Sequence, residues 1–167
     1  TGDEDGVLSL FAGTDSAPAR IFEIHNGEIT DIAFSTDGKL LLTASRDSTS
    51  MVLSRDGRDT VRLKGHQGEV SGATFMADSR RVATSSLDGR LRIWDIDSRA
   101  PIAVEIPGGP AAMRAVAVTP DGQYIASGSD DYSVRVWNFA TGKLVSRFGT
   151  YDKIVDLDID PRARLVA

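Results

Sequence analysis

The stretch that decides the fold covers residues 65–95 and reads GHQGEVSGATFMADSRRVATSSLDGRLRIWD. It opens on Gly-His, closes on Trp-Asp, and carries the polar connections ADSR and LDG between short apolar runs. Connections made of Asp, Gly and Ser mark tight turns between antiparallel strands. The last run, RLRIW at 90–94, alternates basic and apolar residues, and this period of two indicates a β-strand. The stretch therefore predicts a small antiparallel unit.

The same unit recurs along the chain with a nearly constant period. His25 and His66 are 41 residues apart, and three other markers repeat at spacings of 41 and 43 residues. These markers are the acid of the first turn (Asp37, Asp78, Asp121), the acid of the second turn (Asp47, Asp88, Asp131) and the residue near the end of the next strand (Leu53, Trp94, Trp137). Because no segment shows a convincing helical period, we predict an all-β protein.

With its Gly-His opening, its Trp-Asp end and this period, the stretch resembles a WD repeat, whose copies recur at about 40–45 residues. The resemblance covers nearly the whole chain. It implies a β-propeller made of four-stranded antiparallel blades, with strands a, b, c and d in each blade. In the reference copy we predict these strands at residues 69–75, 81–85, 90–95 and 101–106.

Both ends of the chain fall inside a repeat. DGVLSLF at 5–11 matches DGRLRIW at 88–94, so the first two strands are c and d, and residues 154–167 match 113–126 and supply strands a and b. We predict one propeller domain, or part of a larger one, over residues 1–167. It divides into a partial blade at 1–24, repeats at 25–65, 66–108 and 109–149, and a partial blade at 150–167. The total is about four blades' worth of sheet.

Three arrangements of the two partial blades are compatible with this count. The chain is a segment of a longer chain whose ring has more blades, which we favour, or its two partial blades join and close a four-bladed ring. The same joining between two chains would make an eight-bladed dimer. All three lie within the range of four to eight blades that is typical of propellers. An open monomer is the least expected, because unpaired strand edges promote association.

Composition narrows the choice of partners and of chemistry. The net charge of −5 and the pI near 5.0 argue against binding to nucleic acid or anionic membranes, whose phosphates require a basic surface. No apolar run approaches the roughly 18–20 residues of a membrane span, and residues 1–20 lack the features of a signal peptide. The absence of cysteine excludes disulfides and thiolate metal sites. We expect no cofactor, no bound metal and a cytoplasmic location.

The resemblance also implies a buried hydrogen-bonded set in each blade: a His before strand a, a Ser or Thr in strand b, an Asp in the b–c turn and a Trp in strand c. The complete set is His66, Thr84, Asp88 and Trp94; the partial sets are His25, Thr43 and Asp47, with Leu53 in the Trp position, and Ser127, Asp131 and Trp137, whose His position falls near Gly109. We expect water or backbone groups to complete the partial sets. His, Asp and a hydroxyl also make up a catalytic triad. Because the hydroxyl and the acid recur in every full blade, as packing residues would, we predict a structural role and no enzyme.

In the WD-repeat family the usual partner surface is the face that carries the d–a and b–c loops, so the resemblance implies a scaffold for protein–protein interactions. The positions that correspond to this surface are Glu28, Thr30, Arg46, Glu69, Ser71, Leu87, Ala112, Arg114, Asp130 and Lys153. They combine both signs of charge with Leu87, predicted to be a lone exposed apolar residue. Such a mixture suits a polar interface with a protein or peptide.

The alternative functions are a propeller enzyme or small-ligand sensor that uses the central channel, or a sensor repeat array of a larger signalling protein. The channel candidates are Asp156 and Asp158, in the acidic run that ends at Asp160. Carboxylates are ligands for a hard cation such as Ca²⁺, but strand residues two apart project in parallel. We therefore predict solvated or paired carboxylates, with Asp158 as a buried partner of an Arg.

Overall fold

The computed structural model describes residues 1–98, 100–107, 111–160 and 164–166, and this part of the chain contains sixteen β-strands and no helix. The N-terminal half-blade is β1 (Val7–Leu10) and β2 (Arg20–Glu23). Blade 1 is β3 (Ile29–Phe34), β4 (Leu40–Ser45), β5 (Thr49–Ser54) and β6 (Thr60–Lys64). Blade 2 is β7 (Val70–Phe75), β8 (Arg81–Ser86), β9 (Arg90–Asp95) and β10 (Ala100–Pro107). Blade 3 is β11 (Met113–Val118), β12 (Tyr124–Ser129), β13 (Ser133–Asn138) and β14 (Leu144–Gly149), and the C-terminal half-blade is β15 (Asp158–Asp160) and β16 (Arg164–Val166).

Each blade is an antiparallel sheet in which the strands pair in chain order, as β3-β4-β5-β6 do in blade 1. The predicted fold class, an all-β structure of four-stranded propeller blades flanked by two half-blades, is confirmed. No helix in the described part of the chain is long and apolar enough to cross a membrane.

Turn residues explain why the strands end where they do. Between strands a and b, Gly38, Ser79 and Gly122 occupy the same position with φ values of 69°, 54° and 69°. This left-handed conformation suits glycine, and the serine adopts it in the tight ADSR turn. The preceding aspartate supports the turn, as in blade 1, where Asp37 Oδ1 accepts a hydrogen bond from the Lys39 backbone N–H. Turn chemistry thus sets the blade period seen in the sequence.

The hydrophobic core lies between blades rather than within one sheet. Leu42, Val52 and Leu63 of blade 1 form a single buried cluster with Val82 and Trp94 of blade 2. Equivalent clusters join blade 2 to blade 3, and blade 3 to the C-terminal half-blade. A fourth cluster joins the N-terminal half-blade to blade 1. The sheets therefore stack face to face in chain order.

The two half-blades differ from the sequence predictions in how they pair and in where their strands begin. In the described part of the chain, β1–β2 and β15–β16 form two separate sheets, so a four-bladed ring closed within one chain is not the arrangement in this structure. Strand β15 begins at Asp158, four residues after the predicted start of strand a at Ile154. The strand is short because β16 pairs with only three of its residues.

Candidate interaction surface and the buried network beneath it

The complete hydrogen-bonded set predicted for blade 2 is brought together by β8, β9, the turn between them and the loop that precedes β7. The two ring nitrogens of His66 lie 2.9 Å from Asp88 Oδ2 and 2.8 Å from Thr84 Oγ1. The indole N–H of Trp94 donates to the same Thr84 hydroxyl over 2.9 Å. Arg92 Nη1 adds a contact of 2.9 Å to Asp88 Oδ2. All the polar atoms of this cluster are therefore satisfied under cover of the neighbouring blades.

Burial argues against nucleophilic chemistry at the hydroxyls of Thr43 and Thr84. Thr43 and Thr84 are fully buried, and His25 and His66 are buried beside them. A nucleophile must reach a substrate carbonyl or phosphoryl group, and its base must be placed between it and the orienting acid. A threonine enclosed by strands b and c cannot do so. Each histidine does lie between the threonine and the aspartate, so burial of the hydroxyl, and not the arrangement of the three groups, argues against nucleophilic chemistry.

Blade 1 forms the same network without a tryptophan. His25 lies 3.0 Å from Asp47 Oδ2 through Nδ1 and 2.8 Å from Thr43 Oγ1 through Nε2. Leu53 occupies the tryptophan position and is fully buried in the cluster against the N-terminal half-blade. Apolar packing here replaces the indole, while the Thr43 hydroxyl also lies 3.4 Å from the Met51 carbonyl oxygen.

In blade 3, which has no histidine, two arginines contact the turn aspartate, and sequence reasoning did not anticipate them. Arg135 of β13 and Arg147 of β14 both donate to the Asp131 carboxylate. The two arginines face each other in the β13–β14 register. Trp137 still donates to Ser127 Oγ, over 3.3 Å. The predicted histidine position near Gly109 lies outside the described residues. The expectation that water or backbone groups complete this set therefore stays a prediction.

The network holds its three aspartates in the ionised form. Burial alone would raise the pKa of Asp47, but hydrogen bonds from Thr49, the Asn26 backbone N–H and His25 lower this pKa from 3.8 to about 2. Burial likewise opposes ionisation of Asp88 and Asp131, and donors from Gln67 and His66, or from Arg135 and Ser133, bring the pKa of each to about 2. Burial lowers the pKa of His25 below 6.5, more than the nearby Asp47 raises it.

These pKa shifts predict that the chain loses stability in acid in two stages. Below about pH 6.5 the unfolded chain binds a proton at His25 that the folded chain takes up less readily, so the free energy of unfolding begins to fall. The three aspartates stabilise the fold above about pH 4, and this contribution is lost as the pH falls towards 2. Urea unfolding at constant ionic strength measures the change. A free energy of unfolding that stayed constant between about pH 5 and pH 3 would contradict it.

Above the network, the charged residues predicted for the partner surface form a belt of ion pairs. Arg46 of blade 1 bridges Glu28 of its own blade, at 3.0 Å, and Glu69 of blade 2, at 3.6 Å. Arg114 makes a two-pronged contact with Asp130, with distances of 2.9 and 2.7 Å. We define these five residues together with Lys153 as the charged belt. Hydrogen bonds from Arg114 lower the pKa of Asp130, and the charge of Lys153 contributes.

The other residues predicted for this surface are less accessible to a partner. Thr30 Oγ1 donates to the Val70 carbonyl oxygen and Ser71 Oγ to that of Met113, both over 2.6 Å, so these hydroxyls tie each blade to the next. Leu87 is only partly exposed, so its prediction as a lone exposed apolar residue is wrong. Ala112 is also partly buried, and its carbonyl oxygen accepts from the Asp130 backbone N–H.

The inner strands enclose a polar cavity of about 370 Å³ lined by Thr30, Asp31, Ser71, Arg114 and Asp156, among others. Asp31 holds the register position that Asp156 holds in the C-terminal half-blade, and its Oδ2 accepts from the Ala73 backbone N–H of blade 2 over 2.9 Å. Burial raises the pKa of Asp31, and the charge of Asp156 adds to the effect. Aligning the a strands of the repeats could have identified Asp31 as a channel residue.

The second predicted channel residue lies elsewhere. Asp158 is exposed, and its Oδ1 accepts a hydrogen bond from the Ile159 backbone N–H. The prediction of a buried ion-pair partner is wrong, because the short β15 is not covered by a complete blade. Among the residues whose side chains are described, no group of three His, Cys, Asp or Glu residues is placed to hold a metal ion.

Comparison with known proteins gives two results. A family model described as "WD domain, G-beta repeat" matches residues 16–52, 57–95 and 104–138. The chain is 42% identical over 53 residues to a ribosome biogenesis protein BOP1 homolog of Drosophila virilis, and 38% identical over 58 residues to that of Leishmania braziliensis. These matches cover 32% and 35% of the chain but 7% and 8% of the relatives. The matched part of the chain thus spans less than a tenth of the length of these relatives.

Proposed function

Because the chain belongs to the WD-repeat family, we propose that it is a non-catalytic scaffold that binds a protein or peptide partner through the charged belt. The observation that carries this proposal is the position of the belt. Five of its six residues lie on the d–a and b–c loops of three blades and one half-blade, and Arg114 is the second residue of β11. Arg46 and Lys153 are exposed there. Loops held by a rigid sheet scaffold are the usual place of binding residues.

The chemistry of the belt favours a partner that carries both signs of charge. Arg46 is shared between two glutamates, and Arg114 is satisfied by Asp130, so the belt is internally paired. A partner with an Arg or an acid can exchange with such pairs at the rim, and exposed pairs of this kind contribute little stability, about 0–1 kcal/mol. Charge complementarity at a rim mainly sets specificity and association rate.

The test replaces Arg46, Glu69 and Arg114 together with alanine. We expect binding to a partner captured with the tagged chain to weaken by roughly tenfold or more, since charged anchors at an interface carry much of its energy. A matched control replaces Arg58, Arg80 and Asp97 with alanine. These residues are exposed in the a–b and c–d turns, and their replacement removes two positive charges and one negative charge, as in the test variant. Equal binding by the two triple variants, with unchanged thermal unfolding, would refute the proposal.

The relatives are named as ribosome biogenesis proteins, which suggests this process as one in which such a scaffold could act. We infer no more than the possession of comparable repeats, because the similarity covers less than a tenth of those proteins. The acidic net charge of −5 favours a protein partner over direct contact with RNA. The cytoplasmic location stays a prediction.

A further inference from the structure

The two asparagines of the chain differ in the residue that follows them. Asn26 precedes Gly27 in the loop before β3, whereas Asn138 precedes Phe139 at the end of β13. Asparagine is a thermolabile residue. It loses its side-chain amide when the backbone nitrogen of the next residue attacks the amide carbon and closes a succinimide ring. Because glycine has no Cβ to obstruct that approach, Asn26-Gly27 is the more reactive of the two steps.

The fold leaves the reacting groups of this step free. Asn26 is exposed, and its backbone N–H donates to Asp47 Oδ2 over 3.0 Å. Among the described residues, neither the side-chain amide of Asn26 nor the N–H of Gly27 has a hydrogen-bond partner. Gly27 is held through its carbonyl oxygen instead, which accepts from Ser45 Oγ over 2.9 Å. The attacking nitrogen and the amide carbon are therefore both accessible in the folded chain.

The Asp-Gly steps of the chain, which can form the same ring, are restrained by their turns. They are Asp5-Gly6, Asp37-Gly38, Asp56-Gly57, Asp88-Gly89 and Asp121-Gly122. In each of them the glycine N–H donates to a backbone carbonyl oxygen, as that of Gly38 does to Ser35 over 2.8 Å. Attack would require this turn bond to break. The Asn26-Gly27 step has no such restraint.

Blade 2 contains the same loop with a glutamine in place of the asparagine. The Gln67 backbone N–H donates to Asp88 Oδ2 over 3.0 Å, and the Gly68 carbonyl oxygen accepts from Ser86 Oγ over 3.1 Å. These are the backbone contacts that Asn26 and its glycine make in blade 1. Glutamine has to close a larger ring, which forms much more slowly. Blade 2 thus provides an unreactive form of the loop in the same geometry.

We propose that Asn26 is a modification site, at which the folded chain loses the side-chain amide without an enzyme. The Gly27 nitrogen bonds to Asn26 Cγ, the bond from Cγ to Nδ2 breaks, and ammonia leaves with the proton of the Gly27 N–H. Water then opens the succinimide at one of its two carbonyl carbons, which gives either aspartate or isoaspartate at position 26. No oxidant or reductant takes part.

Both products disturb the loop that joins the buried network to the charged belt. Aspartate adds a second carboxylate close to that of Asp47, and like charges disfavour each other. Isoaspartate lengthens the main chain by one methylene next to Gly27, where an added Cβ would already lie 3.3 Å from the Asp47 backbone nitrogen. The next residue is Glu28, which pairs with Arg46 at 3.0 Å. We therefore expect isoaspartate to loosen this end of the belt.

The test follows both asparagines in the folded chain. The chain is incubated in mildly alkaline buffer, checked by circular dichroism, digested with trypsin, and analysed by chromatography and mass spectrometry. We expect the peptide of residues 21–39 to convert into two separable products of equal mass, heavier by the difference between OH and NH₂, with the change at Asn26. The peptide of residues 136–143, which contains Asn138, is expected to stay unchanged.

Two variants separate the reaction from its consequences. Asn26→Gln copies the loop of blade 2, so we expect it to fold normally and to give neither product. Asn26→Asp supplies the aspartate product alone, and we expect chains that contain isoaspartate to unfold at a lower temperature than this variant. An unmodified peptide after prolonged incubation, equal conversion at Asn138, or conversion only in urea-unfolded chains would overturn the proposal.

Discussion

Replacement of Trp94 by alanine is expected to lower the free energy of unfolding by about 3–5 kcal/mol, as for other buried aromatic residues. Trp94 is 1% exposed and belongs to the cluster that joins blades 1 and 2. Its loss leaves a cavity at that junction and removes the indole donor from Thr84. Urea unfolding at a fixed chain concentration measures the effect, because association would otherwise shift the apparent stability.

Two further variants show how the loss divides between packing and hydrogen bonding. Trp94→Phe keeps most of the ring but removes the N–H donor, so we expect a smaller cost of about 1–2 kcal/mol. Trp137→Ala removes the equivalent ring from blade 3, where the hydrogen bond to Ser127 is longer, at 3.3 Å. A loss below about 1 kcal/mol for Trp94→Ala would mean that the junction does not depend on the indole.

Repeated turn chemistry made the strands predictable from the sequence. The Asp-Gly and Asp-Ser connections recur at nearly constant spacing, and each forces a reversal through a left-handed residue such as Gly38 or Ser79. The grouping of His66 with Asp88 and Trp94 was predicted from the resemblance to the WD repeat, and the structure brings the three side chains together. Local pattern and global fold agree at these sites, as in a minimally frustrated sequence.

Contacts that depend on strand register or on the packing of one blade against the next were not predictable in the same way. Arg135 and Arg147 both reach Asp131 because β13 and β14 pair in a register that sets the two arginines opposite each other. Likewise, Thr30 and Ser71 look like free surface positions in the sequence, yet their hydroxyls bind carbonyl oxygens of the next blade. Such contacts depend on how far one sheet lies from the next, which periodicity does not specify.

Replacement of Asp47 by alanine is expected to lower the free energy of unfolding by about 3 kcal/mol, because several buried donors lose a charged acceptor and a hydrogen bond to a charged group contributes about 1.5–3 kcal/mol. The side chain is 10% exposed and lies within hydrogen-bond distance of His25, the Asn26 backbone N–H, and both the backbone and the hydroxyl of Thr49. These donors lose their charged acceptor together. Arg62, 3.6 Å away, also loses its nearest carboxylate contact in this network.

The control for Asp47 is a turn aspartate that makes similar local bonds without burial. Asp37 accepts from the Ser35 hydroxyl and the Lys39 backbone N–H but is nearly half exposed, so we expect Asp37→Ala to cost less than about 1 kcal/mol. Because blade 1 has Leu53 where blade 2 has Trp94, the comparison also tests the network in the absence of an indole. Equal costs for Asp47→Ala and Asp37→Ala would show that the His-Asp-Thr network of blade 1 stabilises its blade no more than an exposed turn aspartate does. A cost near 3 kcal/mol would show that the buried carboxylate stabilises its blade by itself.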